Sequence, residues 1–311
     1  MSKYIVSLLL LSAMVFTACK KEQHSTTVDN TVKPTDITQN KDHQGQALTP
    51  FGWVSQSQVH HIETGEYLSG EGDHLRKYDR NGKVLADYGA LEQTSAATES
   101  AKGGKGIFPL GSGWITYTYW TNNTGSAISY FNTNWTVPPA PAVNSGQTIF
   151  LFNGLQNSNH ILQPVLQWGP SAAGGGSYWA IANWYVGNNA VYSSLIPVSP
   201  GTSLQGVMSL ISGGGTTGSY TSAFVGYPSI TLTVNNIPTL YWAAESLEAY
   251  GVSTCSNYPN TASTRLSGID LRVGGVQAPL SWSVANAVTD CGQHSNVVTP
   301  GSPNGVVDIY Y

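Results

Sequence analysis

Ile128-Ser129-Tyr130-Phe131-Asn132-Thr133-Asn134-Trp135-Thr136-Val137, halted by Pro138-Pro139, reads as a β-strand. It is built from β-branched and aromatic residues, its apolar positions do not recur at helical spacing, and the proline pair cannot donate to a ladder. Upstream, residues 114–120 (Trp114-Ile115-Thr116-Tyr117-Thr118-Tyr119-Trp120) have the same character. Downstream, comparable runs occupy 148–152, 161–168, 178–186, 190–196, 206–211, 220–225, 231–234, 240–250 and 306–311. Turn residues separate them at roughly the 8–12-residue spacing of sandwiches and barrels. The glycine runs Gly174-Gly175-Gly176 and Gly213-Gly214-Gly215 read as turn or flap material. The expected fold is all-β, a two-sheet antiparallel β-sandwich of jelly-roll or concanavalin-like type.

The N-terminal part has a different organisation. Lys3, the apolar run from Tyr4 to Leu11 and the small-residue approach Val15-Phe16-Thr17-Ala18 predict a signal peptide over residues 1–18. The apolar run falls short of the about 20 residues that a spanning helix needs. Cys19 directly follows, as in a bacterial lipobox, so it is the expected lipidation site and the bilayer an expected partner. Residues 19–50 are polar and predict a disordered tether. Residues 51–90 predict a small β-hairpin unit, prosegment or accessory, with Asn81-Gly82 as the turn between two apolar-alternating runs. Residues 91–106, containing Gly103-Gly104-Lys105-Gly106, read as a linker, and the sandwich spans 107–311. The expected location is the cell envelope, outside the cytoplasm.

Charge narrows the chemistry. Charged residues are 10% of the chain, against roughly 25% in ordinary soluble proteins. A net charge of −4 without a basic stripe argues against a nucleic-acid partner. Between Ile107 and Ala244 there is no Asp, Glu, Lys or Arg; beyond it the carboxylates are Glu245, Glu248, Asp270, Asp290 and Asp308. With Cys19 set aside, Cys255 and Cys291 form an even pair and predict a disulfide. No Cys-x-x-Cys spacing exists, and the neighbours His60 and His61 point to opposite faces of a strand, so neither metal nor cofactor is expected.

Strand alternation sorts the candidates. Glu245 shares a face with Tyr241, Ala243 and Leu247, whereas Glu248 points the other way with Trp242. A carboxylate on a partly desolvated face has a raised pKa and suits acid–base work. Gln163 shares its face with Ile161, Val165 and Gln167, and Pro164 beside it suggests an edge, bulge or cleft.

Five segments taken in order resemble the landmarks of the eqolisin, or glutamic peptidase, family. They are Asn134-Trp135-Thr136-Val137-Pro138, Phe150-Leu151-Phe152-Asn153-Gly154, Ile161-Leu162-Gln163, residues 178–184 and Trp242-Ala243-Ala244-Glu245. The resemblance covers about Asn134 to Tyr250. It implies a sandwich whose catalytic Gln and Glu lie on neighbouring strands of a concave face, positions matched here by Gln163 and Glu245. By that analogy Glu245 takes a proton from the attacking water, and Gln163 donates to the developing oxyanion.

The chain departs from the family pattern where acids give way to amides. Asn153 stands for an Asp, Gln167 faces where an acid often stands, and Ile181-Ala182-Asn183-Trp184 replaces a Trp-x-Glu-Trp. Asn153, Gln167, Asn183 and Trp184 are then the expected substrate-binding residues. The expected function is a lipid-anchored glutamic-type endopeptidase acting on a polypeptide substrate. The alternative is a non-catalytic glycan-binding or surface-adhesion lipoprotein using tryptophan platforms and amides. A glycosidase would need two carboxyls about 5–9 Å apart across one bond, and Glu245 and Glu248 face opposite sides.

Overall fold

The computed structural model describes residues 43–92 and 113–311, which belong to one compact unit. Cys19, the signal peptide, most of the tether and nearly all of the linker lie outside the described residues. The strands in chain order begin with β1 (Gln46–Thr49), β2 (Gly52–Ser55), β3 (Val59–Ile62), β4 (Tyr67–Glu71), β5 (His74–Tyr78) and β6 (Val84–Ala90). Then come β7 (Trp114–Thr121), β8 (Ile128–Thr136), β9 (Thr148–Gln156), β10 (Ile161–Ser171), β11 (Gly174–Val186) and β12 (Ala190–Ser193). They continue with β13 (Ile196–Val198), β14 (Ser203–Gly213), β15 (Thr217–Phe224), β16 (Leu232–Pro238) and β17 (Trp242–Tyr250). The last are β18 (Ser263–Val273), β19 (Val276–Gln277), β20 (Ser283–Asn286), β21 (His294–Thr299) and β22 (Gly305–Tyr310).

Two sheets pack face to face, so the all-β sandwich expected from alternation is the fold. The first, in order β20-β7-β17-β9-β10-β11-β12-β3 with β13 beside β11, carries every candidate site residue; we call it the site sheet. The second runs β21-β22-β18-β8-β14-β15-β16-β4-β5-β6, with β19 beside β18. Between them lies a core in which Leu151, Leu166, Ile181 and Leu247 meet Phe131, Met208, Leu232 and Leu271. Burial of each such side chain contributes about 1.5–3 kcal/mol.

Strand pairing within the sheets is antiparallel except at two joins. β3 runs parallel to β12, and β4 runs parallel to β16. The stretch read from sequence as a small β unit thus supplies one edge of the site sheet and three strands of the second sheet. The last residues of the stretch read as tether, Gln46–Thr49, are β1, paired with β2 in a two-stranded hairpin of its own.

Two further expectations change. Gly174-Gly175-Gly176 opens β11 rather than forming a flap, and it pairs with the end of β10 beyond a bulge at Trp168/Gly169. Gly175 at φ 106° and Gly169 at φ 84° take backbone shapes that disfavour side chains, and a Cβ on either would collide with backbone. The missed strand β18 lies between β22 and β8 in the second sheet. Its register slips between Leu266 and Ile269, next to Gly268 at φ 58°, so two core residues stand three apart and the alternation is broken. Cys255 and Cys291 are disulfide-bonded, as their pairing in the sequence suggested.

Candidate functional site

Register decides which side chains share a face, because residues paired across a ladder project to the same side. Gln163 on β10 pairs with Trp184 on β11. On its other flank, Leu162 pairs with Leu155 and Val165 with Phe152, which sets Gln163 level with Gly154 of β9. Gly154 in turn pairs with Ala244 of β17. The row is therefore Trp184, Gln163, Gly154, Ala244. It lies on the outer face of the site sheet, among Phe150, Phe152, Ile161, Val165 and Trp242.

Glu245 belongs to the other face. It pairs with Asn153 of β9 and Thr118 of β7, and its neighbours Ala243 and Leu247 are in the core between the sheets. Its Oε1 accepts a 2.5 Å hydrogen bond from the hydroxyl of Thr133 on β8, in the second sheet. Gln163 and Glu245 leave the site sheet in opposite directions, with β9 between their strands. The expected Gln/Glu pair is not assembled. The residue that β17 presents to Gln163's row is Ala244.

Glu245 is fully buried, and burial pushes its carboxyl well above the usual carboxylate range, partly countered by the Thr133 bond. Its Oε2, Asn153 Oδ1 and Thr118 Oγ1, all in one row, have no hydrogen-bond partner. A neutral acid held by Thr133 is a structural group, without access to a substrate.

The amides expected to bind substrate also divide by face. Asn153 and Asn183 point inward: Asn153 Nδ2 donates to the Gly206 carbonyl (3.3 Å), and Asn183 Nδ2 donates to the Ile230 carbonyl (2.8 Å). Asn183 Oδ1 also accepts from the Ser222 hydroxyl (2.7 Å). Both tie the site sheet to the second sheet instead of facing a cleft. Gln167 points outward but is consumed locally. Its Nε2 donates to the Gly169 and Gly174 carbonyls and its Oε1 accepts from Ser171, which fixes the β10–β11 hairpin. Trp184 alone of these stands beside Gln163, packed on Tyr192. His160, just before β10, is buried with its ring stacked on Tyr185, and burial pushes its imidazole down to about 4.

Sequence reasoning passed over several residues of the outer face. Gln156, Trp242 and Ser246 are fully buried there, and Gln156 Oε1 and Nε2, Trp242 Nε1 and Ser246 Oγ have no partner. Gln163 Oε1 and Trp184 Nε1 are likewise unmatched. Alternation from Gly154 gives Gln156 and alternation from Ala244 gives Trp242 and Ser246, so the signal was present. Glu248 is also on this face, paired with Phe150, which pairs with Gln167. Its Oε1 accepts from the Tyr250 hydroxyl, and burial pushes its carboxyl well above the usual range. Glu248 and Gln167 are thus a Glu and a Gln in one row on one face, with Phe150 standing between them.

The outer face is covered in part by the hairpin β1–β2. Leu48 is buried in the outer-face cluster, and Phe51, Trp53 and Val54 pack half-buried against it. The Leu48 carbonyl accepts from the Ala172 N–H (2.7 Å). At the tip, Gln163 Nε2 donates to the Pro50 carbonyl at 3.1 Å. No group of His, Cys, Asp and Glu suited to a metal ion occurs among the described residues.

No protein-family model matches the chain, and no characterised protein matches it in sequence. Among solved structures it is similar to scytalido-glutamic peptidase crystallised with a peptide-based transition state analog, at 15% identity and a TM-score of 0.44. It is similar also to SCP-B, an eqolisin-family peptidase in complex with the tripeptide Ala-Ile-His, at 14% identity and a TM-score of 0.42. Each alignment covers 64% of this chain and 98% of the other. These neighbours are glutamic peptidases; at this identity the likeness concerns the fold.

Proposed function

We propose that this chain is a lipid-anchored protein of the cell envelope that binds extended polypeptide on the outer face of the site sheet, around Gln163, Trp184 and Trp242. The observation that carries the reading is the Gln163 amide, a buried donor that engages a main-chain carbonyl of a segment laid across the face. A side-chain amide offers both a donor and an acceptor, the complement of a peptide group. Aromatic walls from Trp184, Trp242 and Tyr119 supply apolar contact. The Cys255–Cys291 disulfide is in keeping with an oxidising compartment, and the lipobox-like approach to Cys19 supports the anchor.

Hydrolysis is the second reading, and Glu248 is the observation that favours it. It is a carboxyl on the binding face, held near neutral charge by burial, where a proton can be taken or given. Glu245, turned into the core, has no part in it. The test uses the full chain and a fluorescently labelled, reduced and alkylated protein across about pH 3–7, the range in which a carboxyl titrates. Anisotropy reads binding and gel analysis reads cleavage. Gln163→Leu is expected to weaken binding about tenfold, the worth of one hydrogen bond to the main chain. Glu245→Gln is expected to leave it unchanged. Cleavage that disappears in Glu248→Gln would establish the hydrolase. Absence of polypeptide binding together with retention on a neutral polysaccharide would replace this reading with the glycan-binding one.

A further inference from the structure

We infer that the hairpin Gln46–Ser55 is a ligand held in cis: it occupies the polypeptide site, and an external segment with an N–H beside the carbonyl that Gln163 grips must displace it. The inference rests on the reading of the outer face as a polypeptide site.

Three observations support it. The hairpin belongs to neither large sheet; its ladder is closed on itself, Gln46 with Ser55 through Thr49 with Gly52. Its hold on the site sheet runs through the Ala172 to Leu48 bond, the Gln163 to Pro50 bond and the apolar contacts of Leu48, Phe51, Trp53 and Val54. Such an attachment can be released without opening the sandwich.

The second observation is an incomplete match. Gln163 has a donor and an acceptor, and the hairpin meets only the donor; Oε1 is buried and unpartnered. Pro50 lacks the N–H that would satisfy it. A buried acceptor left unmet costs about 1–3 kcal/mol, so a residue other than proline, offering its own N–H beside its own carbonyl, is the better partner. The third observation is that the unmatched atoms of Gln156, Trp242, Ser246 and Trp184 lie on this same face. They are neutral donors and acceptors; the histidine and carboxyl side chains on this face are set apart from Gln163, His61 at the β3 edge of its row beyond Tyr192, and Glu248 in the Gln167 row. The ligand class that follows is a neutral polypeptide segment with an aliphatic residue two positions before the gripped carbonyl, as Leu48 precedes Pro50.

The experiment measures binding of two labelled peptides to the full chain: the hairpin's own sequence Gln46–Ser55, and the same peptide with alanine in place of proline. The proteins are wild type, the hairpin-loosened Leu48→Ser/Trp53→Ser variant, and that variant with Gln163→Leu, each checked by thermal melting. The loosened variant is expected to bind at least about tenfold more tightly, which corresponds to a face free less than about a tenth of the time in wild type. The alanine peptide is expected to bind more tightly than the proline peptide, and Gln163→Leu to remove that preference. In isotope-labelled wild type at saturating peptide, the protein's own amides within Gln46–Ser55 are expected to exchange faster as the hairpin leaves its seat, since a lone two-stranded hairpin is marginally stable in water; this readout stands if the loosened variant fails to fold. Equal binding by wild type and a folded loosened variant, or unchanged exchange of those hairpin amides in the peptide-bound protein, would overturn the inference. If labelled unfolded protein still binds through Gln163 in that case, the polypeptide reading survives; if it does not, both fall.

Discussion

The two faces of the site sheet are built from the same strands and handle polarity in opposite ways. On the inner face, Asn153, Asn183 and Glu245 are each bonded to a group of the second sheet or its connecting segments, so polarity there joins layers, although Glu245 Oε2, Asn153 Oδ1 and Thr118 Oγ1 stay unmatched between the sheets. On the outer face, Gln156, Gln163, Trp184, Trp242 and Ser246 are equally buried and retain unmatched atoms where no second sheet lies over them, and the covering hairpin satisfies one of them. A buried polar group matched within the fold stabilises it, while one left unmatched costs stability and, outside the space between the sheets, can select a partner. The inner face is a joint and the outer face a receptor surface.

That contrast is sharpest at Asn183, whose replacement is expected to have the largest effect on stability. Asn183→Leu strands the Ile230 carbonyl and the Ser222 hydroxyl inside the core, a loss of about 2–4 kcal/mol, visible as a lower denaturation midpoint. If the variant melts like wild type, the inner amides are not a joint.

Acidity provides the next test. Glu245 and Glu248 both have carboxyl groups raised above the ordinary 4.5 by burial. Between 4.5 and the raised value the folded chain holds protons that the unfolded chain has released, so stability is full below about 4.5 and falls as pH rises. Each acid contributes a slope of up to about 1.4 kcal/mol per pH unit in that window. Glu245→Gln and Glu248→Gln should each flatten the profile, stabilising the protein near pH 7 and changing little near pH 4. A wild-type profile that rises from pH 5 to pH 7 would contradict the burial of both acids.

Packing separates the faces more modestly. A Cβ at Gly206 would lie 2.6 Å from Asn153 Oδ1 and 2.8 Å from Pro164 and Trp135, so Gly206→Ala is expected to cost about 1–3 kcal/mol by overpacking the inner layer. The smallest stability effect is expected from Gln163→Leu, within about 1 kcal/mol of wild type. It gives up the Pro50 bond but also removes the unmatched Oε1. A large destabilisation there would mean that Gln163 is a structural residue like Asn183.

Much of this was legible in the chain itself. Alternation located β7 through β12 closely and separated Glu245 from Glu248 by face, but the face shared with Gln163 belongs to Glu248, not to Glu245 as expected. What alternation cannot carry is the phase of one strand against another. That phase is set by β9, which lies between β10 and β17 and aligns Gln163 with Ala244 instead of Glu245. A one-residue difference in register exchanges every side chain between faces. Bulges hid the rest: the slip beside Gly268 disguised β18, and charged Arg265, Asp270 and Arg272 on its outward side made it look unlike a central strand. Nor does any local pattern reveal that Pro50 meets Gln163, a contact between residues 113 apart.

The two parallel joins have a consequence for how the molecule would survive cutting. Within the short run from Val59 to Glu71 the chain adds a strand to each sheet, beside β12 in one and β16 in the other. A protease nick anywhere between residues 92 and 113 would sever the covalent path but none of those ladders, so the fragments would remain a single particle. They would part on a denaturing gel and travel together through a sizing column, held by the same two edges that they protect.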